Sequence, residues 1–204
     1  MNVLVTAADS DLGAMLCQQL ASAHSVASIG RSEAASTAGY QCVDMLDLEA
    51  MTAVLEHTEV AVHALPYTAE LADVGDEQEL LDWVSRTTYV LATAACAAGV
   101  RRVVLLGSLD VMRSYDERFI VTPEWQPRPQ ATAESLAPHM AELVGREVAR
   151  TGKIEVVALR LGQVGIEVSE DEVAAAVEEA MSNALQAQYH WTVQHVASSG
   201  RFAR

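Results

Sequence analysis

Residues 2–13 read NVLVTAADSDLG: an aliphatic run, a small polar turn and the start of a segment with helical periodicity. A strand that is apolar on both faces is typical of a parallel sheet buried between two layers of helices. The turn carries Asp9, Ser10 and Asp11, residue types that cap a helix and complement its dipole. The stretch therefore predicts a strand, a tight turn and a helix, which is the opening unit of an α/β fold.

The same alternation continues along the chain. Short apolar runs predict strands at Asn2–Thr6, Ser25–Ile29, Gln41–Val43, Val60–Ala64, Arg102–Leu106, Ile154–Leu161 and His190–His195. Segments with helical periodicity predict helices at Leu12–Ala23, Leu48–His57, Glu77–Ala98, Leu136–Thr151 and Glu170–Leu185. Strands that alternate with helices form βαβ units, so we expect a doubly wound parallel sheet in one compact domain over residues 1–204. The proline-containing stretch 110–133 is expected to be a long loop.

Composition excludes several classes of function. The chain has 28 acidic and 13 basic residues and a formal net charge of −15, which disfavours nucleic acids and anionic membranes as partners. Three widely spaced cysteines suggest neither a disulfide framework nor a metal site, and we expect them to be buried, reduced thiols. No histidine spacing predicts a metal site either. With no signal peptide and no apolar stretch of about 20 residues, a soluble cytoplasmic protein is expected.

The first turn carries a family resemblance. Residues 6–13, TAADSDLG, are similar to the T-G-x-x-G-x-x-G loop of extended or atypical short-chain dehydrogenases/reductases, the group with the NAD-dependent epimerases and dehydratases. Thr6 and Gly13 fit that pattern, whereas Ala7 and Ser10 replace its first two glycines. In such loops glycines let the backbone approach the cofactor pyrophosphate at the helix N-terminus. The replacements add Cβ atoms, and the neighbouring aspartates place carboxylates where the phosphates lie.

Other segments extend the resemblance over almost the whole chain. Residues 43–47 (VDMLD), 62–66 (VHALP), 94–104 (AACAAGVRRVV), 159–164 (LRLGQV) and 170–174 (EDEVA) resemble family motifs in the family's order. The resemblance implies a Rossmann-like fold. It also implies cofactor contacts from Thr6, Ala8, Asp9, Ser10, Asp11, Leu12, Gly13, Arg31, Asp44, Met45, Ala64, Leu65 and Pro66. The cofactor would be NAD or NADP, and Arg31 favours NADP because an arginine there can pair with a 2′-phosphate. The alternative is that the turn only caps the helix and the cofactor has been lost.

The catalytic residues of the family are incomplete. Its members use a Ser or Thr after the fifth strand together with a Tyr-x-x-x-Lys pair on the following helix, and here Ser108 fits the first position. Counting back from Glu142 places Glu134 and Pro138 at the Tyr and Lys positions, and a shift of one residue gives Ala133 and Ala137. The only lysine of the chain, Lys153, is preceded four residues earlier by Ala149, so no Tyr-x-x-x-Lys pair exists.

Three functions remain open from the sequence. The chain is a catalytically degenerate relative that binds NAD(P) in a sensing role, a minimal oxidoreductase or epimerase, or an interaction module that has lost the cofactor. A minimal enzyme would have to use Ser108, Glu134 and His139, since histidine is the natural proton carrier at neutral pH. The short connection from Val164 to the helix at Glu170 predicts that the family's substrate-binding insertion is absent. The resemblance also implies a homodimer through helices 77–98 and 136–151, although the apolar residues of the first could equally pack on the sheet.

Overall fold

The structure, a computed structural model, describes residues 1–33, 39–183 and 190–203. Its strands are β1 (Asn2–Val5), β2 (Ser25–Gly30), β3 (Tyr40–Cys42), β4 (Val60–His63), β5 (Arg102–Ser108), β6 (Glu155–Leu161) and β7 (Trp191–Val196). Its α-helices are α1 (Asp11–Leu20), α2 (Leu48–Val54), α3 (Glu77–Ala98), α4 (Ala133–Ala149) and α5 (Glu170–Ser182). Within these ranges no helix has the length and hydrophobicity that a bilayer crossing requires.

The strands form one parallel sheet in the order β3-β2-β1-β4-β5-β6-β7. The predicted doubly wound, Rossmann-like sheet is therefore confirmed. From β1 the chain builds outward through β2 and β3, and it then returns to the other side of β1 with β4. This reversal lies between β1 and β4, and in open α/β sheets ligands bind at the carboxyl ends of the strands beside such a point.

Two helical layers cover the sheet. On one face α1 and α5 pack over a core that includes Val3, Leu16 and Val177. On the other face α2, α3 and α4 pack over a second core that includes Leu4 and Leu105. Alternate residues of β1 thus enter opposite cores, which explains why the strand is apolar on both sides.

Helix α4 begins one turn earlier than predicted. The sequence places its first turn at Pro138, because proline lacks the backbone N–H that an internal helical residue donates. In the structure the helix starts at Ala133, and Pro138 lies in the second turn. Because Pro138 has no N–H, the carbonyl of Glu134 receives no hydrogen bond from it. Glu134 is exposed, so this carbonyl belongs to a residue in contact with solvent. Helix α5 is described to Ser182, and its predicted end at Leu185 lies outside the described residues.

The loop after β5 carries a small core of its own. It opens with a 3-10 helix, Leu109–Met112, and residues of this segment pack with Tyr115 and Phe202. Trp125 meets the Tyr115 ring edge-on, with ring centroids 4.9 Å apart. Loop tryptophans bury much apolar surface when they anchor in this way. Trp125 therefore anchors this loop to its small core, and it also lines a neighbouring cavity.

The cysteines differ in exposure. Cys17 is buried and Cys96 is half-buried, but Cys42 is exposed, so the expectation of three buried thiols is wrong at this residue. Cys42 ends β3, the first strand of the sheet order, which leaves its side chain open to solvent. All three thiols are free.

Candidate functional site at the carboxyl ends of β1, β2 and β4

The turn after β1 is packed directly against α1. A Cβ atom on Gly13 would lie 2.2 Å from the carbonyl oxygen of Ala7, so only glycine allows this approach. Ala7 itself adopts a φ of 50°, in the left-handed region that favours glycine. The backbone path of a glycine-rich loop is thus kept, although two of its glycines are replaced.

Ser10 and Asp9 have different roles in this turn. Ser10 is the N-cap of α1: its hydroxyl accepts a hydrogen bond from the N–H of Gly13 and donates one to the carbonyl of Ala7. The carboxylate of Asp9 instead crosses to the end of β2, where one oxygen accepts the N–H groups of Arg31 at 2.7 Å and Ser32 at 2.8 Å. The capping interpretation therefore holds for Ser10 but not for Asp9.

A cavity of about 290 Å³ lies at this edge of the sheet, and we call it the β1–β2 cavity. Its lining comes from the turns after β1 and β2, from the segments after β3 and β4 and from α3. The residues are Ala7, Asp9, Ser10, Arg31, Ser32, Met45, Pro66, Leu71, Ala72, Asp73 and Trp83. The cavity therefore occupies the position beside the reversal of strand order where doubly wound sheets bind their ligands.

The guanidinium of Arg31 closes one side of the cavity. Its Nη1 donates to the carbonyl oxygen of Ala72 at 2.6 Å, and its central carbon lies 5.4 Å from the centre of the Trp83 ring. A guanidinium over an indole face is a favourable cation–π arrangement. Arg31 thereby joins the end of β2 to the segment after β4.

The predicted cofactor residues fall into three groups. Asp9, Ser10, Arg31, Met45 and Pro66 line the β1–β2 cavity. A second set is buried behind its wall: Thr6, Ala8, Gly13, Ala64 and Leu65. A third set is not part of the lining: Asp11, Leu12 and Asp44. Thr6 is engaged within the core, since its hydroxyl hydrogen-bonds to Nδ1 of His63 and accepts the N–H of Ala64.

The predicted cofactor contacts did not include six of the lining residues: Ala7, Ser32, Leu71, Ala72, Asp73 and Trp83. For Trp83 a signal existed, because a helix that follows a parallel strand starts near the carboxyl edge of the sheet. An aromatic residue in the second turn of α3 is therefore close to the ligand edge. The segment after β4 has no comparable pattern, and its placement depends on the contact between Arg31 and Ala72.

The three candidate catalytic side chains do not line a common cavity among those described. The Ser108 hydroxyl accepts the N–H of Asp110 at 3.1 Å, which makes it the cap of the 3-10 helix. Glu134 lines a polar cavity of about 210 Å³ after β5, whereas His139 lines a different one of about 200 Å³ beside Trp125. Burial lowers the pKa of His139. A shared reaction centre of these residues gains no support from this arrangement.

Of the residues at the positions of the absent Tyr and Lys, only Glu134 carries a side chain that can exchange a proton. Ala133, Ala137 and Pro138 are buried under α4, and only Glu134 reaches solvent. Lys153 immediately precedes β6 and is exposed at the amino edge of the sheet. The six residue steps of β6 separate it by about 20 Å from the carboxyl edge. Among the described residues, no group of three His, Cys, Asp or Glu side chains is arranged to hold a metal ion.

The sequence model of the NAD dependent epimerase/dehydratase family matches residues 3–200. The chain belongs to this family. Family membership accounts for the doubly wound sheet and for the modified glycine loop at its first turn. A comparison with curated proteins found no match.

Solved structures with the same fold include epimerases and dehydrogenases. "MoeE5 in complex with UDP-glucuronic acid and NAD" is 21% identical, with a TM-score of 0.79 over 97% of this chain and 76% of that one. Uronate dehydrogenase from Agrobacterium tumefaciens is 20% identical, with a TM-score of 0.78 over 97% and 77%. UDP-glucose 4-epimerase of Thermus thermophilus in complex with NAD is 17% identical, with a TM-score of 0.79 over 97% and 78%.

Proposed function

We propose that this epimerase/dehydratase-family protein binds an NAD-type dinucleotide by its adenosine half and does not catalyse a reaction on it. Its role would be to sense the cofactor or to present a cofactor-dependent surface to a partner. The observation that carries the proposal is the β1–β2 cavity, which combines apolar walls and hydrogen-bonding groups beside the reversal of strand order.

The lining suits a purine nucleoside. Met45, Pro66, Leu71 and the Trp83 ring offer apolar surface for a base, while Asp9 and the neighbouring serines offer acceptors for ribose hydroxyls. At about 290 Å³ the cavity lies just below the ~300–1,000 Å³ of typical small-molecule pockets. It therefore fits the adenosine portion better than a complete dinucleotide. Two of the solved structures with this fold are described as complexes with NAD.

The pyrophosphate would meet a less favourable surface. Ala7 and Ser10 carry Cβ atoms where the family loop has glycines, and Asp9 and Asp11 add negative charge beside the helix N-terminus. The backbone turn is kept, so the position remains accessible, but each change weakens the attraction for a phosphate. We therefore expect a dissociation constant in the high micromolar to millimolar range.

Proton transfer is where the family chemistry fails. A bound dinucleotide supplies a hydride acceptor, but family members also need a side chain that exchanges a proton with the substrate. No Tyr-x-x-x-Lys pair exists, the only lysine is at the opposite edge of the sheet, and Ser108 caps a 3-10 helix. These observations favour binding without turnover.

Calorimetric titration with NAD, NADH, NADP and NADPH tests the binding. Leu71 is 66% exposed at the rim of the cavity and Leu48 is 45% exposed outside it, so Leu71→Glu and Leu48→Glu form a matched pair with small folding cost. We expect saturable binding to the native chain, clear weakening by Leu71→Glu and no effect of Leu48→Glu. No binding at millimolar dinucleotide would refute the proposal and leave the interaction module.

A second measurement addresses the absence of turnover. The protein is incubated with each dinucleotide and a panel of sugar nucleotides and aldehydes. Absorbance at the reduced-cofactor band reports net oxidation or reduction. Chromatography of the sugar nucleotides reports epimerisation, which returns the hydride to the sugar and leaves no net reduced cofactor. We expect no turnover. Turnover that is lost in Ser108→Ala, Glu134→Gln or His139→Ala would instead establish the minimal oxidoreductase or epimerase.

A further inference from the structure

The end of β2 is held by an acidic side chain that comes from the turn after β1. One carboxylate oxygen of Asp9 accepts two consecutive backbone N–H groups, those of Arg31 and Ser32, at 2.7 and 2.8 Å. Bonds from an N–H to a carboxylate are stronger than bonds between neutral groups. Asp9 thus occupies the two amides that this end of β2 could offer to an anion.

The seat of Asp9 is built by its neighbours. A Cβ atom on Gly30 would lie 2.3 Å from Oδ1 of Asp9, so a glycine at the end of β2 makes room for the carboxylate. The same short segment is fixed from the other side: the hydroxyl of Tyr40 donates to the carbonyl of Ser32, and the thiol of Cys42 donates to that of Arg31. The carboxylate therefore has a defined position on the wall of the β1–β2 cavity.

This position matters because the end of β2 distinguishes the two dinucleotides in doubly wound sheets. An acidic residue there binds the ribose 2′-hydroxyl of NAD, whereas an arginine accommodates the 2′-phosphate of NADP. Here β2 runs into Gly30 and Arg31 and carries no acid of its own. Asp9 brings a carboxylate to the same place from the turn after β1.

The Arg31 side chain is turned to other partners. Its guanidinium donates to the carbonyl of Ala72 and stacks on Trp83, so it serves as a wall of the cavity. A 2′-phosphate would meet the Asp9 carboxylate and amides that are already bonded, and it would have to displace one or both.

We propose that Asp9 makes the β1–β2 cavity selective for an unphosphorylated adenosine ribose, as in NAD or ADP-ribose, and excludes the 2′-phosphate of NADP. The proposal rests on the dinucleotide binding proposed above. This preference for NAD is the opposite of the NADP preference that Arg31 suggests from sequence. The hydrogen bonds from the N–H groups of Arg31 and Ser32 hold the Asp9 carboxylate, and not the Arg31 guanidinium, next to the ribose.

The test uses ADP-ribose and 2′-phospho-ADP-ribose, which share the adenosine half and differ by one phosphate. Their dissociation constants are measured by calorimetry for the native protein, for Asp9→Asn and for the control Asp11→Asn. Asp11 is an equally acidic neighbour in the first turn of α1, and it is not part of the cavity lining. We expect the native chain to bind ADP-ribose at least about tenfold more tightly than 2′-phospho-ADP-ribose. The reason is the repulsion between the 2′-phosphate and the Asp9 carboxylate at close range near the surface. Asp9→Asn should reduce this ratio about tenfold, and Asp11→Asn should leave it unchanged.

The outcomes separate the two proposals. If ADP-ribose binds but Asp9→Asn does not change the ratio of the two dissociation constants, the proposed role of Asp9 is overturned and the proposed function stands. The same holds if Asp11→Asn changes this ratio as much as Asp9→Asn does. A native chain that prefers the 2′-phosphorylated ligand overturns it as well. No binding of either ligand overturns the proposed function and this inference together. If Asp9→Asn fails to fold by circular dichroism, Arg31→Met decides: a selective loss of the 2′-phosphorylated ligand would mean that Arg31 holds the phosphate, whereas an unchanged ratio supports Asp9.

Discussion

The buried ion pair between Glu142 and Arg160 offers a quantitative test of how α4 is held on the sheet. Nε and Nη2 of Arg160 donate to the two carboxylate oxygens of Glu142 at 2.7 and 2.8 Å. Only 3% of the Arg160 side chain and 5% of the Glu142 side chain are exposed. Because Glu142 lies on α4 and Arg160 on β6, this bidentate pair joins the helix to the sheet.

Removing one partner should cost far more than removing both. Arg160→Met leaves the Glu142 carboxylate buried without its counter-ion, a change that destabilises by about 3–5 kcal/mol. The double variant Glu142→Leu with Arg160→Met places apolar groups of similar size on both sides and should stay within about 1 kcal/mol of the native chain. The exposed pair Asp82–Arg86 on α3 serves as control, and its loss through Arg86→Met should cost about 0.3–0.5 kcal/mol.

Urea unfolding followed by circular dichroism measures all four proteins at pH 7. The single variant should lower the unfolding midpoint strongly, and the double variant should restore most of the loss. A single-variant cost below about 1 kcal/mol would show that the carboxylate finds water or another partner, which refutes the buried-pair reasoning. A double variant as unstable as the single one would assign the cost to packing of the arginine stem instead of to charge.

Three further predictions concern the packing and assembly of the same domain. Gly13→Ala should destabilise the chain by at least about 2 kcal/mol in thermal unfolding, because its Cβ would meet a backbone oxygen at 2.2 Å; a neutral result would show that α1 can shift. Burial lowers the pKa of His63 to about 3, so the unfolded chain binds the extra proton and stability falls as pH drops below about 6.5. The free energy of unfolding should fall by about 1.4 kcal/mol between neutral pH and pH 5.5 because of this group. The urea midpoint of His63→Gln should lack this part of the pH dependence, and an unchanged pH dependence would show that His63 becomes charged in the native state. We also propose the homodimer through α3 and α4: Tyr89 and Leu143 are exposed on these paired helices, so Tyr89→Glu should give a monomer in sedimentation, and a native monomer at high concentration would exclude the dimer.

The sequence predicted the fold well because the central strands β1, β4, β5 and β6 are buried on both faces. For α3 the predicted ends, Glu77 and Ala98, agree with the structure. The sequence marks both ends, because Asp76 caps the start and Gly99 ends the helix in a left-handed conformation. The predicted start of α4 was wrong because a tertiary contact outweighed the local preference of proline for the first turn of a helix. Pro138 indicates a first turn, yet α4 gains an extra turn because Ala133 and Ala137 pack on the core.

The apolar residues of α3 show a similar limit. Sequence alone left open whether they pack on the sheet or on a second subunit. Leu80, Val84 and Leu91 are buried in the core, and Leu81 and Val90 pack partly against it. Tyr89 is the large apolar side chain of α3 that stays exposed, and it therefore carries the dimer proposal.

The candidate site was less predictable because its lining combines five segments that are distant in sequence. The turn after β1 gave Asp9 and Ser10, and the end of β2 gave Arg31, all from one family pattern. The partners of these side chains could not be predicted, since the contact of Asp9 with β2 and that of Arg31 with Ala72 depend on how strands pair. From sequence, Arg31 predicts binding of the 2′-phosphate. Once its contacts with Ala72 and Trp83 are known, the same residue no longer supports that prediction.

Binding and catalysis occupy separate parts of this fold, which explains how one could persist without the other. The β1–β2 cavity is formed by the turns after β1 and β2, by the segments after β3 and β4 and by α3, whereas the missing Tyr and Lys would belong to α4. Met45 and Trp83 are also core residues, so folding stability alone would preserve them and the cavity that they border. The Asp9 carboxylate is different, because it is exposed and contributes no apolar burial to the core. A ligand-dependent effect of Asp9→Asn would therefore distinguish a dinucleotide-binding protein from a fold that has kept only the shape of the site.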